Sequence, residues 1–227
     1  MEKKKAVVSL RLEGPLQSWG ERSKWDRRDT ADFPSKSGVI GLVACAMGLE
    51  RNDDRINHIA ENTQYAVRRD RTGTLITDFH TVTGEPMINA EGKPRNANTI
   101  ITPRQYLQDA CFTAFICGEK ELIEEMAEAL QNPKWVFFLG RKSCVPSCPV
   151  FNGIVYDKTA EQALLDQESF PVRLRKNEPA TARILYETPS VDNPTYSRSD
   201  EIVDMGKREF RRRDITLKYM EVKNVSE

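Results

Sequence analysis

The sequence predicts an α+β fold whose first 150 residues run strand, helix, strand, strand, strand, helix, strand. Three observations lead there. Two segments, 39–47 and 122–130, carry apolar residues at helical spacing. Several others, 5–12 and 105–117 foremost, alternate or run apolar over strand lengths. Glycine or proline marks the breaks between them, at Gly14-Pro15, Gly48, Gly73, Pro133 and Gly140.

Each element has its own warrant. In 5–12, Ala6, Val8, Leu10 and Leu12 would face a core, with Val7, Ser9 and Arg11 opposite. Ser35 or Ser37 can cap the next helix, because a serine oxygen accepts from its unpaired N–H groups. Val39, Leu42, Val43, Ala46 and Met47 form its buried stripe, and Gly48 ends it. Gly38 and Gly41 lower its helix propensity but permit close backbone approach. A short helix is expected over 53–62, then strands over 65–69 and 75–82 joined by a turn at Thr72-Gly73. Residues 83–104 hold two glycines, three prolines and three asparagines, so an excursion of this length is expected to be a projecting hairpin or finger. Residues 105–117 read as one long strand, apolar on both faces and therefore central. Residues 119–131 form the clearest helix, with acidic residues in its first turn and a stripe of Leu122, Ile123, Met126, Ala127 and Leu130. A short strand over 135–139 closes the series. With one hairpin elaborated, this is a ferredoxin-like βαββαβ plan. Residues 151–227 are expected to be a β-rich extension packed on that core. It would have a helical turn at 160–165, strands at 172–174, 183–186 and 215–222, and a weakly patterned stretch at 188–204.

Composition narrows function only locally. With 34 basic and 34 acidic residues the formal net charge is zero, so bulk charge favours no polyanion partner. Distribution is uneven. Five glutamates crowd 119–128, and Lys207, Arg208, Arg211, Arg212 and Arg213 crowd one segment near the C-terminus. No apolar run is long enough to span a bilayer, and the basic N-terminus leads into an alternating strand and not a signal core, so a cytoplasmic location with reduced thiols is expected. Cys144 and Cys148 have half the spacing of a zinc site, but no second ligand pair follows, and a turn is the expected reading. No phosphate loop, dinucleotide fingerprint or hydrolase elbow is present, and no cofactor is expected.

The chemistry-bearing stretch is 13–38. Its loop is long for a strand-to-helix connection and sets Trp19 and Trp25 among Arg22, Lys24, Arg27 and Arg28. Flat rings and cations together suit the bases and phosphates of single-stranded RNA. Trp19, next to the strand end, is the better candidate for the core; Trp25 is balanced between stacking and burial. The start of the following helix, at Ser35, Lys36 and Ser37, offers N–H groups that suit a phosphate. Gly140, Arg141 and Lys142 add a glycine turn where a backbone could approach RNA. His80, near a strand end, reads either as a general acid or base or, by preference, as a structural or binding residue.

Ordered along the chain, several segments resemble the Cas-five family of CRISPR-associated proteins, in its CasD-like type I-E form. They are Leu10-Arg11-Leu12 with Gly14-Pro15-Leu16-Gln17-Ser18-Trp19-Gly20, then Phe33-Pro34-Ser35-Lys36-Ser37-Gly38-Val39-Ile40-Gly41-Leu42. Downstream follow Asp78-Phe79-His80-Thr81-Val82, Tyr106-Leu107-Gln108-Asp109-Ala110 and Leu139-Gly140-Arg141-Lys142-Ser143-Cys144. The resemblance implies a RAMP-superfamily domain over 1–150, with a thumb at 83–104 that includes Met87, Ile88, Arg95 and Asn96. It implies a non-catalytic subunit that binds the 5′ handle of the CRISPR RNA and caps a filament of CasC-type backbone subunits. It also implies contact with a CasA-type large subunit and, through the guide, with target DNA. The RNA-binding set expected on this reading is Arg22, Lys24, Trp25, Arg27, Arg28, Ser35, Lys36, Ser37, His80, Arg104, Gly140, Arg141 and Lys142. Two rivals stay open. One is a metal-independent endoribonuclease built on His80, Tyr106 and Lys142; the other is a general single-strand binder, disfavoured by the zero net charge.

Overall fold

The computed structural model describes residues 4–20, 28–84, 86–89, 91–94, 99–167, 181–187 and 194–221. The elements begin with strand β1 (Lys5–Glu13), short strand β2 (Leu16–Gln17), helix α1 (Lys36–Met47) and helix α2 (Arg55–Glu61). Strands β3 (Gln64–Arg71), β4 (Thr74–Thr83), β5 (Thr99–Gln108) and β6 (Cys111–Glu119) follow, then helix α3 (Lys120–Gln131). The chain continues with β7 (Phe151–Tyr156), α4 (Ala160–Asp166), β8 (Thr181–Glu187), β9 (Tyr196–Asp204) and β10 (Glu209–Glu221). Seven strands form one sheet in the order β7-β1-β6-β3-β8-β10-β9, and β2, β5 and β4 form a second. All the strand pairs are antiparallel.

The large sheet is covered on both faces. Ala6, Val8, Leu10 and Leu12 of β1 pack with Val39, Ile40 and Val43 of α1, Ile56 and Ile59 of α2, and Ile123 and Met126 of α3. Val7, one residue out of phase, packs on the opposite face with Ala160, Ala163 and Leu164 of α4. The period of two thus sends one strand into two cores. Residues 111–118 of β6 are all buried, which makes this strand central, as its two apolar faces require. In α1 the Ser35 side chain accepts from the Gly38 N–H, and Gly48 ends the helix at φ 71°.

The stretch 105–117 is two strands and not one. The chain turns at Asp109, whose φ is 55°, and β5 joins the small sheet while β6 joins the large one. The same happens at Thr72-Gly73 between β3 and β4. The register makes these breaks adjacent: Arg71 pairs with Cys111 in the large sheet, and Thr74 with Gln108 in the small one. One two-stranded ribbon, β3–β4 against β5–β6, therefore runs out of the central sheet and kinks once. At the kink a Cβ on Gly73 would lie 2.5 Å from the Gln108 carbonyl oxygen, so only glycine fits. Arg71 pins the bend, its Nε donating to the Asp109 carbonyl at 2.5 Å and its Nη2 to Glu13 at 3.0 Å. The finger expected over 83–104 is narrower, because β5 begins at Thr99.

The expected strand over 135–139 is absent. Trp135 and Val136 are exposed, and the backbone there bonds to α1, Lys134 N–H donating to the Ala46 carbonyl. The edge position beside β1 is taken by β7 instead. The expected division at residue 150 accordingly has no counterpart in the sheet, which draws strands from both sides of it. The weakly patterned stretch 188–204 contains β9. The strand expected at 172–174 lies outside the described residues. Cys144 is buried and Cys148 half-buried, both as free thiols. Among the described residues no helix is long and apolar enough to cross a membrane, and no group of three or more His, Cys, Asp or Glu could hold a metal ion.

A buried ionic network fastens the C-terminal strands to the start of α1. Lys36 Nζ lies 2.8 Å from Glu201 and 3.1 Å from Glu187, and it donates to the Thr63 carbonyl. Arg213 holds Asp200 through two bonds of 3.1 and 2.8 Å. Asp200 in turn accepts the Lys36 backbone N–H at 2.8 Å. Burial pushes the Asp200 carboxyl up, but the charges of Arg213 and Arg198 and the bonds from Arg213 and Lys36 more than offset it, leaving it below its ordinary 3.8.

Candidate nucleic-acid interface

Gln17 and Trp19 fix the loop that follows β1. The buried Gln17 amide donates to the Leu12 and Ala110 carbonyls at 3.0 and 2.8 Å, spanning the kinked ribbon. Its oxygen accepts the Trp19 indole N–H at 3.0 Å. Trp19 is 1% exposed, and its ring lies against Gly38, where a Cβ would meet it at 3.1 Å. The close approach expected of Gly38 is thus to its own chain. Trp19 is core, as its position beside the strand end suggests.

Beyond Trp19 a groove of about 490 Å³ opens. One wall is the end of the loop and the start of α1, with Ser18, Trp19, Gly20, Ser35, Ser37 and Gly38. Further lining comes from Arg28, Arg104, Gly140 and Arg141, and from Met205 in the turn after β9 and Phe210 at the start of β10. Among the described residues that line it, three are arginines and none is acidic. A second, larger hollow of about 680 Å³ mixes Lys5, Lys36 and Arg211 with Glu61, Glu119, Glu187 and Glu201. That mixture offers a polyanion nothing. The neutral chain therefore carries a locally basic groove.

Backbone bonds hold the arginine wall. Arg28 N–H donates to the Pro103 carbonyl, and the Gln105 N–H donates to the Arg28 carbonyl, so residue 28 lies beside β5 in a parallel bridge to Arg104. Arg141 donates to the carbonyls of Gln105, Arg28 and Asp29 at 2.9 to 3.2 Å and lies over the Tyr106 ring. Those acceptors are uncharged, so its positive charge stays available to the groove. Gly140 has φ +94°, and a Cβ there would lie 1.8 Å from the Ser18 carbonyl oxygen. Expected as a place of approach for RNA, Gly140 is first a place where two loops of the chain meet.

Of the expected RNA-binding set, the groove gathers Arg28, Ser35, Ser37, Arg104, Gly140 and Arg141. Lys36 is a correction: its ammonium is buried on Glu201 and Glu187 and faces no phosphate. The start of α1 is a second correction. Asp200 takes the Lys36 N–H and Ser35 takes that of Gly38, so a carboxylate of the chain itself already complements the helix dipole. His80 sits outside the groove lining, its Nε2 2.8 Å from Asp78 and 3.4 Å from the Tyr106 hydroxyl. Lys142 is exposed and also outside it. Arg22, Lys24, Trp25 and Arg27 lie outside the described residues, but Gly20 and Arg28, which flank them, both line the groove. In the expected thumb, Met87 is buried, Ile88 is exposed and bridges Pro94, and Arg95 and Asn96 lie outside the described residues.

Met205 and Phe210 were not foreseen. The signal was a ring among cations, Lys207, Arg208, Phe210 and Arg211, the same mixture that marks the loop of Trp25. In the basic run 207–213 the cations have separate fates: Lys207 pairs with Asp204, Arg213 is buried on Asp200, and Arg211 lines the mixed hollow.

Fold and groove together define a double-sheet α+β protein with a basic cleft where a loop, a helix start and a strand ribbon meet. A sequence profile of the family described as CRISPR-associated protein (Cas_Cas5) matches residues 7–219, and the chain belongs to this family. The chain is 33% identical over 176 residues to the CRISPR system Cascade subunit CasD of Escherichia coli (strain K12), covering 72% of this chain and 78% of that one. Among solved structures, it is similar to a chain of a CRISPR RNA-guided surveillance complex at 33% identity, with a TM-score of 0.76, covering 95% of this chain and 90% of the other. It is also similar to a structure titled Crystal structure of Cas protein at 30% identity, with a TM-score of 0.72 and 95% of each chain covered.

Proposed function

We propose that the protein is the CRISPR RNA 5′-handle-binding subunit of a type I-E Cascade surveillance complex, non-catalytic and acting in the cytoplasm. The observation that carries this is the groove whose described lining holds three arginines and no acidic residue, in a chain of zero net charge. Family membership and the likeness to a chain of an RNA-guided complex supply the RNA. The reading includes a ferredoxin-like core in β1, α1–α2, β3, β6, α3 and β7, supported by the strand order β7-β1-β6-β3. It includes a thumb in the β4–β5 hairpin, which reaches the first CasC-type backbone subunit, and a surface for the CasA-type large subunit. The mechanism is positional: arginines neutralise handle phosphates, and guide-target pairing reads the sequence.

The test is binding of repeat-sequence RNA across a salt series. Single strands give a slope of about −0.7 per phosphate neutralised, so Arg104→Ala, and equally Arg28→Ala, should weaken binding and flatten the slope by at most about 0.7 each. Unchanged affinity and slope in both would remove the groove from the RNA path. The endoribonuclease reading is tested in the same tubes. Tyr106 is 2% exposed and its hydroxyl faces His80, which argues against its reaching a ribose. Intact RNA after incubation is expected; site-specific cutting lost in His80→Ala would overturn the non-catalytic assignment.

A further inference from the structure

We propose that Phe210, at the start of β10, stacks on an unpaired nucleobase of RNA bound in the groove, which makes the C-terminal hairpin a wall of the binding site. This rests on the RNA reading of the groove and adds a residue and a contact to it.

Phe210 is 42% exposed, high for a phenylalanine, and lines the same groove as Arg28, Arg104 and Arg141. Among the described residues no aromatic ring or guanidinium lies against it. The backbone around it is irregular. Arg208 turns at φ 59°, and the β9–β10 register shifts between Glu209 and Phe210 and again between Arg211 and Arg213. Such shifts re-aim side chains. Here they leave Phe210 at the groove while Arg211 lines the mixed hollow and Arg213 is buried.

The ring's strand is also anchored. Arg213, three residues on, holds Asp200, and Asp200 holds the Lys36 N–H at the start of α1. That helix start supplies Ser35, Ser37 and Gly38 to the same groove. The strand that carries the ring is therefore tied to the start of α1 by buried bonds and not by a free loop. A groove lined by both a flat ring and guanidinium groups suits a nucleotide, with the base on the ring and the phosphate on Arg28 and Arg104. Every base has a π-face, so the contact positions the strand without reading sequence.

The experiment uses the full chain and repeat-sequence RNA carrying 2-aminopurine at one position at a time. Phe210→Ala should weaken binding roughly 5- to 150-fold with the salt slope unchanged. One labelled position should be quenched in the wild type and in Phe210→Trp, and brighten in Phe210→Ala. Phe210→Leu keeps apolar bulk without the ring and covers the case in which the alanine variant folds poorly; it should lose the quenching too. Arg104→Ala runs alongside. If Phe210→Leu binds and quenches like the wild type while Arg104→Ala weakens binding, the stacking role is wrong and the groove assignment stands. If Arg104→Ala is also without effect, both fall.

Discussion

Two glycines show how much of this molecule is decided by single backbone positions. Gly140 sits at φ +94°, with the Ser18 carbonyl where a side chain would begin. Gly140→Ala should lower stability by at least ~2 kcal/mol, combining a strained backbone with a displaced loop. Gly41, inside α1, has nothing within 4 Å of its virtual Cβ. Gly41→Ala should raise stability by about 0.5–1 kcal/mol, since it removes only the entropic cost of glycine in a helix. Chemical denaturation of both variants checks the pair; equal effects would mean that the loop contact at Gly140 is not as tight as described. The sequence announces neither outcome, because composition marks a glycine without saying which partner approaches it. Residues whose partners are near in sequence were more legible. Ser35 as a cap and Trp19 as core followed from position alone. Lys36 did not, because Glu187 and Glu201 are far away in the chain.

Among the elements, the ribbon β3–β4/β5–β6 is the one most easily misjudged from sequence. Alternation runs from 105 to 117 without glycine or proline, so the bend at Asp109 left no mark. Its partner at Gly73 did leave one, and the register puts the two side by side. The far end of the ribbon, away from the buried Tyr106 and Leu107, contributes little to the core. Phe79 and Ile101 are well exposed there, and Thr83 pairs with Thr99 as the last rung. Replacing residues 84–98 with Asn-Gly, a turn suited to a two-residue hairpin, should leave the thermal midpoint within a few degrees of the parent. Assembly with the backbone subunits, followed by size-exclusion chromatography, should fail or weaken strongly. Cooperative unfolding of the shortened chain at room temperature, or unaltered assembly, would count against the division of labour.

On the scale of the whole chain, charge is sorted and not merely balanced. Acidic side chains crowd α3, Lys36 and Arg213 are neutralised inside, and the described lining of the groove holds arginines and no acid. A sum over the sequence could not have revealed that. The internal pairs carry a pH signature. Asp200 lies below its ordinary value in the folded protein, so its stabilisation is full above about pH 4 and fades as the pH falls through its folded value. Glu201 shifts the other way: burial pushes it up more than Lys36 draws it down, so protonation relieves it. Asp200→Asn removes the nearer carboxylate of Arg213, leaving Glu187 at 3.8 Å, and should cost up to about 3–5 kcal/mol at neutral pH. The gap between the urea midpoints of parent and variant should narrow as the pH falls below the ordinary aspartate range and through the lower folded value of Asp200. Glu201 is common to both and largely cancels. A gap that stays constant with pH would mean that Asp200 contributes shape and not charge.

Among the described residues the groove is lined by 18–20, 28, 35, 37–38, 104, 140–141, 205 and 210. No fragment of the chain contains it. A polypeptide still emerging from the ribosome, or one that has lost its C-terminal hairpin to a protease, lacks part of this lining. On the proposed reading ligand and fold are then linked globally: RNA present at a hundred times its dissociation constant adds about 2.7 kcal/mol to the whole domain and not to one loop. Under that reading guide loading would double as an inspection of the subunit, favouring finished copies.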